Sequence, residues 1–352
     1  MSILNLVRPD LLNSPNYIPG GDQAKYRLQA NELPWSPITM DELNLNYYPD
    51  MDLQKQLQEQ LAIRYEVDSN QIALTRGSDD GIELLIKLFL TAREDAFMQF
   101  PPTFPMYAFY VRLQQAEMID CGLDLTNSFS LTFDKIQSHW QPNCKIIMFC
   151  SPNNPTANLI DLSLIAKVCE QYANRSVIVV DEAYIEFAKA PSAITLIPKF
   201  ENLIVLRTLS KAYGLAGLRI GSIIAQPHII LAINKIIAPY TIASPSLKLA
   251  RKALSNNSWF TESIEYIRSS RDWIIKELSD TSTIEKIYPT ETNFLLVKTR
   301  FARQLTSWLA KHGIAIRDFP ASSLLHDHLR LTIGNEEQNQ ILIQAITSFD
   351  NE

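Results

Sequence analysis

Cysteine is scarce in this chain, and none of it is placed for metal binding or a disulfide framework. The four cysteines (Cys121, Cys144, Cys150 and Cys169) form no Cys-x-x-Cys pair and have no histidine nearby at metal spacing. Three lie in or beside apolar segments, so we read reduced core thiols, no metal and a cytoplasmic setting. An excess of basic charge is also missing. A net charge of −6 and a pI near 5.5 leave no footprint for nucleic acid. No apolar run approaches the ~20 residues of a membrane span. The opening Met1–Asp10 is too polar to predict a secretory signal. Two nucleotide signatures are lacking as well. Without Gly-x-x-x-x-Gly-Lys-Ser/Thr, the acidic strand end Val177–Tyr184 does not make a P-loop ATPase. Without Gly-x-Gly-x-x-Gly after the first strand, a dinucleotide dehydrogenase also ranks low. What remains, at 46% hydrophobic and 20% charged, is an ordinary globular composition. Its 352 residues have room for about two domains of ~150 residues each.

Between residues 70 and 225, strand-like and helix-like patterns alternate. Ile82, Leu85, Ile86, Phe89 and Leu90 recur at helical spacing, with Ser78 as the predicted N-cap and Asp79 and Asp80 in the first turn. Apolar runs at Lys145–Cys150, Val177–Val180, Leu203–Leu206 and Ile220–Ala225 read as buried strands, and Asp161 as the cap of an intervening helix. Strands apolar on both faces and separated by helices predict a mostly parallel sheet covered on both sides. From about residue 246 the texture changes. Helices over 261–278, 301–312 and 336–349 and strands over 293–298, 314–319 and 329–334 predict a smaller α+β domain. Residues 1–35, rich in Pro, Asn and Gly, show no regular pattern. We expect a large domain over 36–245, with 1–35 and 246–352 as the N-terminal segment and small domain.

Polar residues gather where ligands bind in such sheets, beyond the carboxyl ends of the strands. Arg76-Gly-Ser-Asp79 follows one strand, Ser151-Pro-Asn-Asn-Pro-Thr156 another, Asp181-Glu-Ala-Tyr184 a third, and Thr208-Leu-Ser-Lys211 a fourth, with Arg219 downstream. Together they suit pyridoxal phosphate. Lys211 offers an amine to condense with its aldehyde and later to carry a proton. Thr208, Ser210, Arg219 and the helix start at Ser78 and Asp79 offer a seat for a phosphate. Asp181 would keep the ring nitrogen protonated, Tyr184 and Asn154 would hydrogen-bond the ring oxygen, and Phe104 would stack on the ring. Singly, each has a plainer reading. Lys211 could be an exposed loop lysine, Asp181 a metal-binding or solvated turn acid, and Asn154 an Asx-turn. Tyr184 and Phe104 could be packing aromatics, and Arg219 a surface ion-pair residue.

The segments Ser151–Thr156, Asp181–Phe187 and Arg207–Arg219 resemble fold-type I pyridoxal phosphate aminotransferases. The finer pattern is similar to the histidinol-phosphate aminotransferase family. Supporting stretches are Gln29–Pro34, Tyr47–Asp50, Arg76–Lys87, Lys235–Tyr240, Glu291–Phe294, Ile316–Asp318 and Leu329–Gly334, so the likeness runs through nearly the whole chain. It implies transamination between histidinol phosphate and 2-oxoglutarate in histidine biosynthesis, by a homodimer with shared active sites. Tyr48 would reach the cofactor phosphate of the neighbouring chain. Arg317 and Arg330 would bind the substrates' anionic groups, and Tyr17 would close over the substrate phosphate. Three departures stand out: Ala157 where the family usually has Gly, Asp80 where Glu is common, and Phe104 where Tyr is common. None removes a ligand, although Phe104 loses a hydroxyl. An aromatic aminotransferase and a threonine-phosphate decarboxylase on the same scaffold remain alternatives. So does a non-catalytic cofactor-binding regulator, for which 1–35 leave little room for a DNA-binding domain.

Overall fold

The computed structural model describes residues 25–28, 31, 33, 35, 49 and 51–350. A short strand β1 (Tyr26–Arg27) precedes helix α1 (Met51–Tyr65). The large sheet then unfolds in alternation: β2 (Ile72–Thr75), α2 (Ser78–Phe89), β3 (Ala96–Gln99), α3 (Met106–Gln114) and β4 (Glu117–Asp120). After α4 (Phe133–His139) come β5 (Cys144–Cys150), α5 (Leu162–Gln171), β6 (Val177–Asp181), β7 (Leu203–Thr208) and β8 (Gly221–Ala225). Helices α6 (Pro227–Asn234), α7 (Ser244–Leu254) and α8 (Asn257–Ser279) lead to β9 (Lys286–Ile287) and β10 (Phe294–Lys298). The chain ends with α9 (Ala302–Lys311), β11 (Ile314–Ala315), β12 (Arg317–Asp318), β13 (His328–Thr332) and α10 (Glu336–Asp350).

The seven strands of the large sheet lie in the order β2-β8-β7-β6-β5-β3-β4. All neighbours are parallel except β8, which runs antiparallel to both β2 and β7. This is the mixed, mostly parallel sheet of fold-type I. Its central strands bury both faces. Val179, Ile204 and Leu206 pack on one side with Ile82, Leu85 and Ile86 of α2, while Ile178, Val180, Leu203 and Val205 pack on the other. That two-sided burial explains why these strands read as unbroken apolar runs. A second, antiparallel sheet has the order β12-β13-β10-β9.

Two expectations need correction. Ser78 is not the N-cap of α2. Gly77 occupies that position with φ of 87°, and Ser78 is the first helical residue. The expected strand over 314–319 is two short strands in different sheets. Ile314–Ala315 pairs in parallel with Tyr26–Arg27, whereas Arg317–Asp318 pairs with β13. Asp161 does cap its helix, accepting a hydrogen bond from the Ser163 N–H at 2.7 Å.

Candidate active site

The end of β7 and the start of α2 build an anion seat. Ser210 receives a hydrogen bond from Thr208 Oγ1 at 2.9 Å, and its own N–H donates to Thr208 Oγ1 at 3.1 Å. Arg219 Nη1 reaches Ser210 Oγ at 3.5 Å, and Nη2 lies 3.7 Å from Asp79 Oδ2. Burial holds the Asp79 carboxyl above its ordinary range, against the opposing pull of the Arg219 and Lys211 cations. Arg219 has a left-handed backbone, φ 52°, a costly conformation for a non-glycine residue and one that clusters at functional sites. The seat admits no bulk at its glycines. A Cβ on Gly77 would stand 2.8 Å from Arg219 Nη2, and one on Gly221 would stand 2.7 Å from the Ser78 nitrogen. Helix start, two hydroxyls and a guanidinium thus converge, with the dipole of α2 favouring negative charge there.

Asp181 ends β6 and is 2% exposed. Its Oδ2 accepts from the Tyr107 hydroxyl at 2.8 Å, and Oδ1 from the Ala183 N–H at 3.2 Å. Burial pushes this carboxyl up to about 6, while the Tyr107 bond pulls it down. Phe104 is half-buried and meets the Tyr107 ring edge-on, with centroids 5.6 Å apart. Sequence reasoning missed Tyr107. It sits after the Pro-rich turn on α3, and its partner is 74 positions away, so only its aromatic character was visible.

Lys211 Nζ stands 5.8 Å from the centre of the Tyr184 ring. The Tyr184 hydroxyl accepts from Asn31 Nδ2 at 3.1 Å, and Asn31 Oδ1 accepts from Thr332 Oγ1 at 2.6 Å. Burial pushes the Tyr184 phenol up to about 12, so it is protonated. Asn154 Oδ1 accepts from Arg330 Nη1 at 2.6 Å. Arg317 stands directly opposite Arg330 in the β12–β13 register and is half-buried. Tyr17 and Tyr48 lie outside the described residues. Beneath the site, on the other face of the sheet, Arg207 is clamped between Glu182 (3.2 Å) and Glu186 (2.7 Å), all three buried. This ion triad was also missed, because Glu182 and Arg207 each read as neighbours of more conspicuous residues.

The residues present fit pyridoxal phosphate. A buried carboxylate suits a ring cation, the convergent seat suits a phosphate, and Lys211 stands beside the Tyr184 ring. The chain as a whole has close counterparts among known proteins. Residues 25–346 match the family described as aminotransferase class I and II. A histidinol-phosphate aminotransferase 1 of Legionella pneumophila (strain Paris) is 71% identical over 350 residues, covering 99% of this chain and 96% of that protein. One from Haemophilus influenzae (strain 86-028NP) is 37% identical over 322 residues, covering 91% of this chain and 90% of that protein. The crystal structure of a histidinol-phosphate aminotransferase from Sinorhizobium meliloti in complex with pyridoxal-5'-phosphate superposes with a TM-score of 0.86 at 22% identity, covering 97% of each chain. This chain therefore belongs to the pyridoxal phosphate-dependent class I and II aminotransferases and, within them, to the histidinol-phosphate aminotransferase family.

Proposed function

We propose that the protein transfers an amino group between histidinol phosphate and 2-oxoglutarate, in histidine biosynthesis. The observation that carries the substrate class is the pair Arg317 and Arg330, opposite one another across β12 and β13. Like charges set directly opposite destabilise a sheet, and an anion between them would offset that cost. Both substrates are anionic, one as a phosphate ester and the other as a dicarboxylate. Tyr17 and Tyr48 would complete the phosphate contacts, Tyr48 from a second copy of the chain.

Pyridoxal phosphate supplies an electron sink that makes the carbon bearing the amino group acidic. The chain's own residues do the rest. Asp181 holds a proton at the ring nitrogen. Tyr184 donates to the ring oxygen, as does Asn154 through its amide, whose Oδ1 already accepts from Arg330. Phe104 covers one ring face and shields it from water. The backbone N–H groups of Ser78 and Asp79, with the side chains of Thr208, Ser210 and Arg219, grip the phosphate. Lys211 Nζ would take the proton from the substrate carbon that bears the amino group and deliver it to the cofactor carbon that receives that group.

A homodimer sharing its active sites fits this reading, and Leu231, Ile236 and Tyr240, exposed on and after α6, offer apolar surface for a partner. We also propose a domain division into 36–245 and 246–352 with the N-terminal segment. Four buried, unpaired thiols suit a cytoplasmic location. Among the described residues, no helix is long and apolar enough to cross a membrane. Steady-state assays with 2-oxoglutarate test the substrate directly: kcat/KM for histidinol phosphate should exceed that for phenylalanine, and phosphothreonine should release no CO2. A preference for phenylalanine would overturn the choice of substrate.

A further inference from the structure

We propose that Tyr107 is a positioning residue for the cofactor ring, its hydroxyl orienting the Asp181 carboxylate and its ring edge fixing Phe104. This rests on the reading above that Asp181 faces the ring nitrogen and Phe104 the ring face. Tyr107 is 0% exposed and touches both. Its hydroxyl lies 2.8 Å from Asp181 Oδ2, and its ring meets Phe104 edge-on at 5.6 Å. One side chain of α3 thereby sets the relative placement of two groups from different parts of the chain.

The hydroxyl is a neutral donor at any working pH, since burial raises the phenol well above its ordinary value. A neutral donor favours the ionised carboxylate without adding a competing cation. Because it occupies Oδ2, and the Ala183 N–H contacts Oδ1 only at 3.2 Å, Oδ1 retains acceptor capacity for a ring N–H. The other ionisable groups that act on Asp181 are Cys150 on β5, Asp79 on α2, Tyr184, and Glu182, which follows β6 and points to the opposite face. Burial pushes the Cys150 thiol up to about 12, so it stays neutral. The two acids oppose ionisation of Asp181, and the Tyr107 hydroxyl favours it.

Apoenzymes of the wild type, Tyr107→Phe, Asp181→Asn and the double variant should be titrated with pyridoxal phosphate between about pH 5 and 8, reading binding by absorbance. The phenylalanine keeps the packing against Phe104 and removes the hydroxyl alone. We expect Tyr107→Phe to weaken binding about tenfold near pH 6, as for loss of a hydrogen bond to a charged group. The pH of half-maximal binding should move upward, and the variant should add no further loss in the Asp181→Asn background. Binding equal to wild type across the range would overturn the proposal, as would a tenfold loss that persists without the carboxylate. Cofactor binding does not depend on which amino donor is used, so a wrong substrate and a wrong role for Tyr107 give different results.

Discussion

Arg330 donates from Nη1 to Asn154 Oδ1 at 2.6 Å, tying the central strand pair of the antiparallel sheet to the loop that follows β5. The same guanidinium stands 5.3 Å from the Phe294 ring, and Phe294 meets Tyr184 edge-on at 5.2 Å. Contacts thus run from Arg330 through Phe294 and Tyr184 to Lys211, whose Nζ stands 5.8 Å from the centre of the Tyr184 ring.

Arg330→Lys keeps the charge and loses the planar fork that binds a carboxylate or phosphate with two parallel hydrogen bonds. KM for both histidinol phosphate and 2-oxoglutarate should rise by roughly tenfold or more, with a smaller fall in kcat. Unchanged KM values would remove Arg330 from substrate binding.

Lys211→Ala should lower turnover by at least ~10³-fold, because it deletes the proton carrier and the covalent anchor together. Borohydride reduction of the wild type followed by digestion and mass spectrometry should find a pyridoxyl group on the Lys211 peptide. An unmodified peptide from fully active enzyme would refute the assignment.

Asp181 makes stability and catalysis pull in opposite directions. Burial raises its carboxyl to about 6 in the ligand-free protein. Raised above its unfolded value of ~3.9, it favours the fold while protonated, and that advantage disappears as pH climbs through the folded value. The loss is on the order of 3 kcal/mol. Ligand-free Asp181→Asn escapes it, so calorimetry should show its advantage over wild type growing from about pH 4 to 7. Its turnover should nevertheless fall by ~10²-fold. A pH-independent difference in Tm would assign the shift to another group.

Gly77→Ala would place a Cβ 2.8 Å from Arg219 Nη2 and force a side chain onto a φ of +87°. The strain and the displaced guanidinium should weaken pyridoxal phosphate binding by about tenfold or more. Equilibrium binding to the apoenzyme measures it, with Arg219→Lys as the companion variant. Normal affinity in both would place the phosphate elsewhere.

The strand ends were legible because each apolar run is long enough to be buried and is followed at once by polar residues. The mistaken helix cap has a physical cause. Intrinsic preference for Ser over Gly at such a position is small. Here the close approach of Gly221 to the start of α2 and of Arg219 to Gly77 decides the matter, and neither is local in sequence. The split of 314–319 was invisible for a similar reason, since alternation shows which residues share a face but not which strand lies beside them. Tyr107 and the Arg207–Glu182–Glu186 triad escaped because each is defined by a partner distant in the chain. Tyr17 and Tyr48 lie outside the described residues.

The neighbouring acids Asp181 and Glu182 are sorted by the pleat, one meeting Tyr107 and the other Arg207. Sliding β6 by a single position would exchange them, presenting a longer carboxylate to the phenol and a shorter one to the guanidinium. Chemical identity at these two sites is therefore a matter of alignment between strands. The ion pair of Glu182 with Arg207 resists that slide, and with it any exchange of Asp181 for its neighbour beside Tyr107.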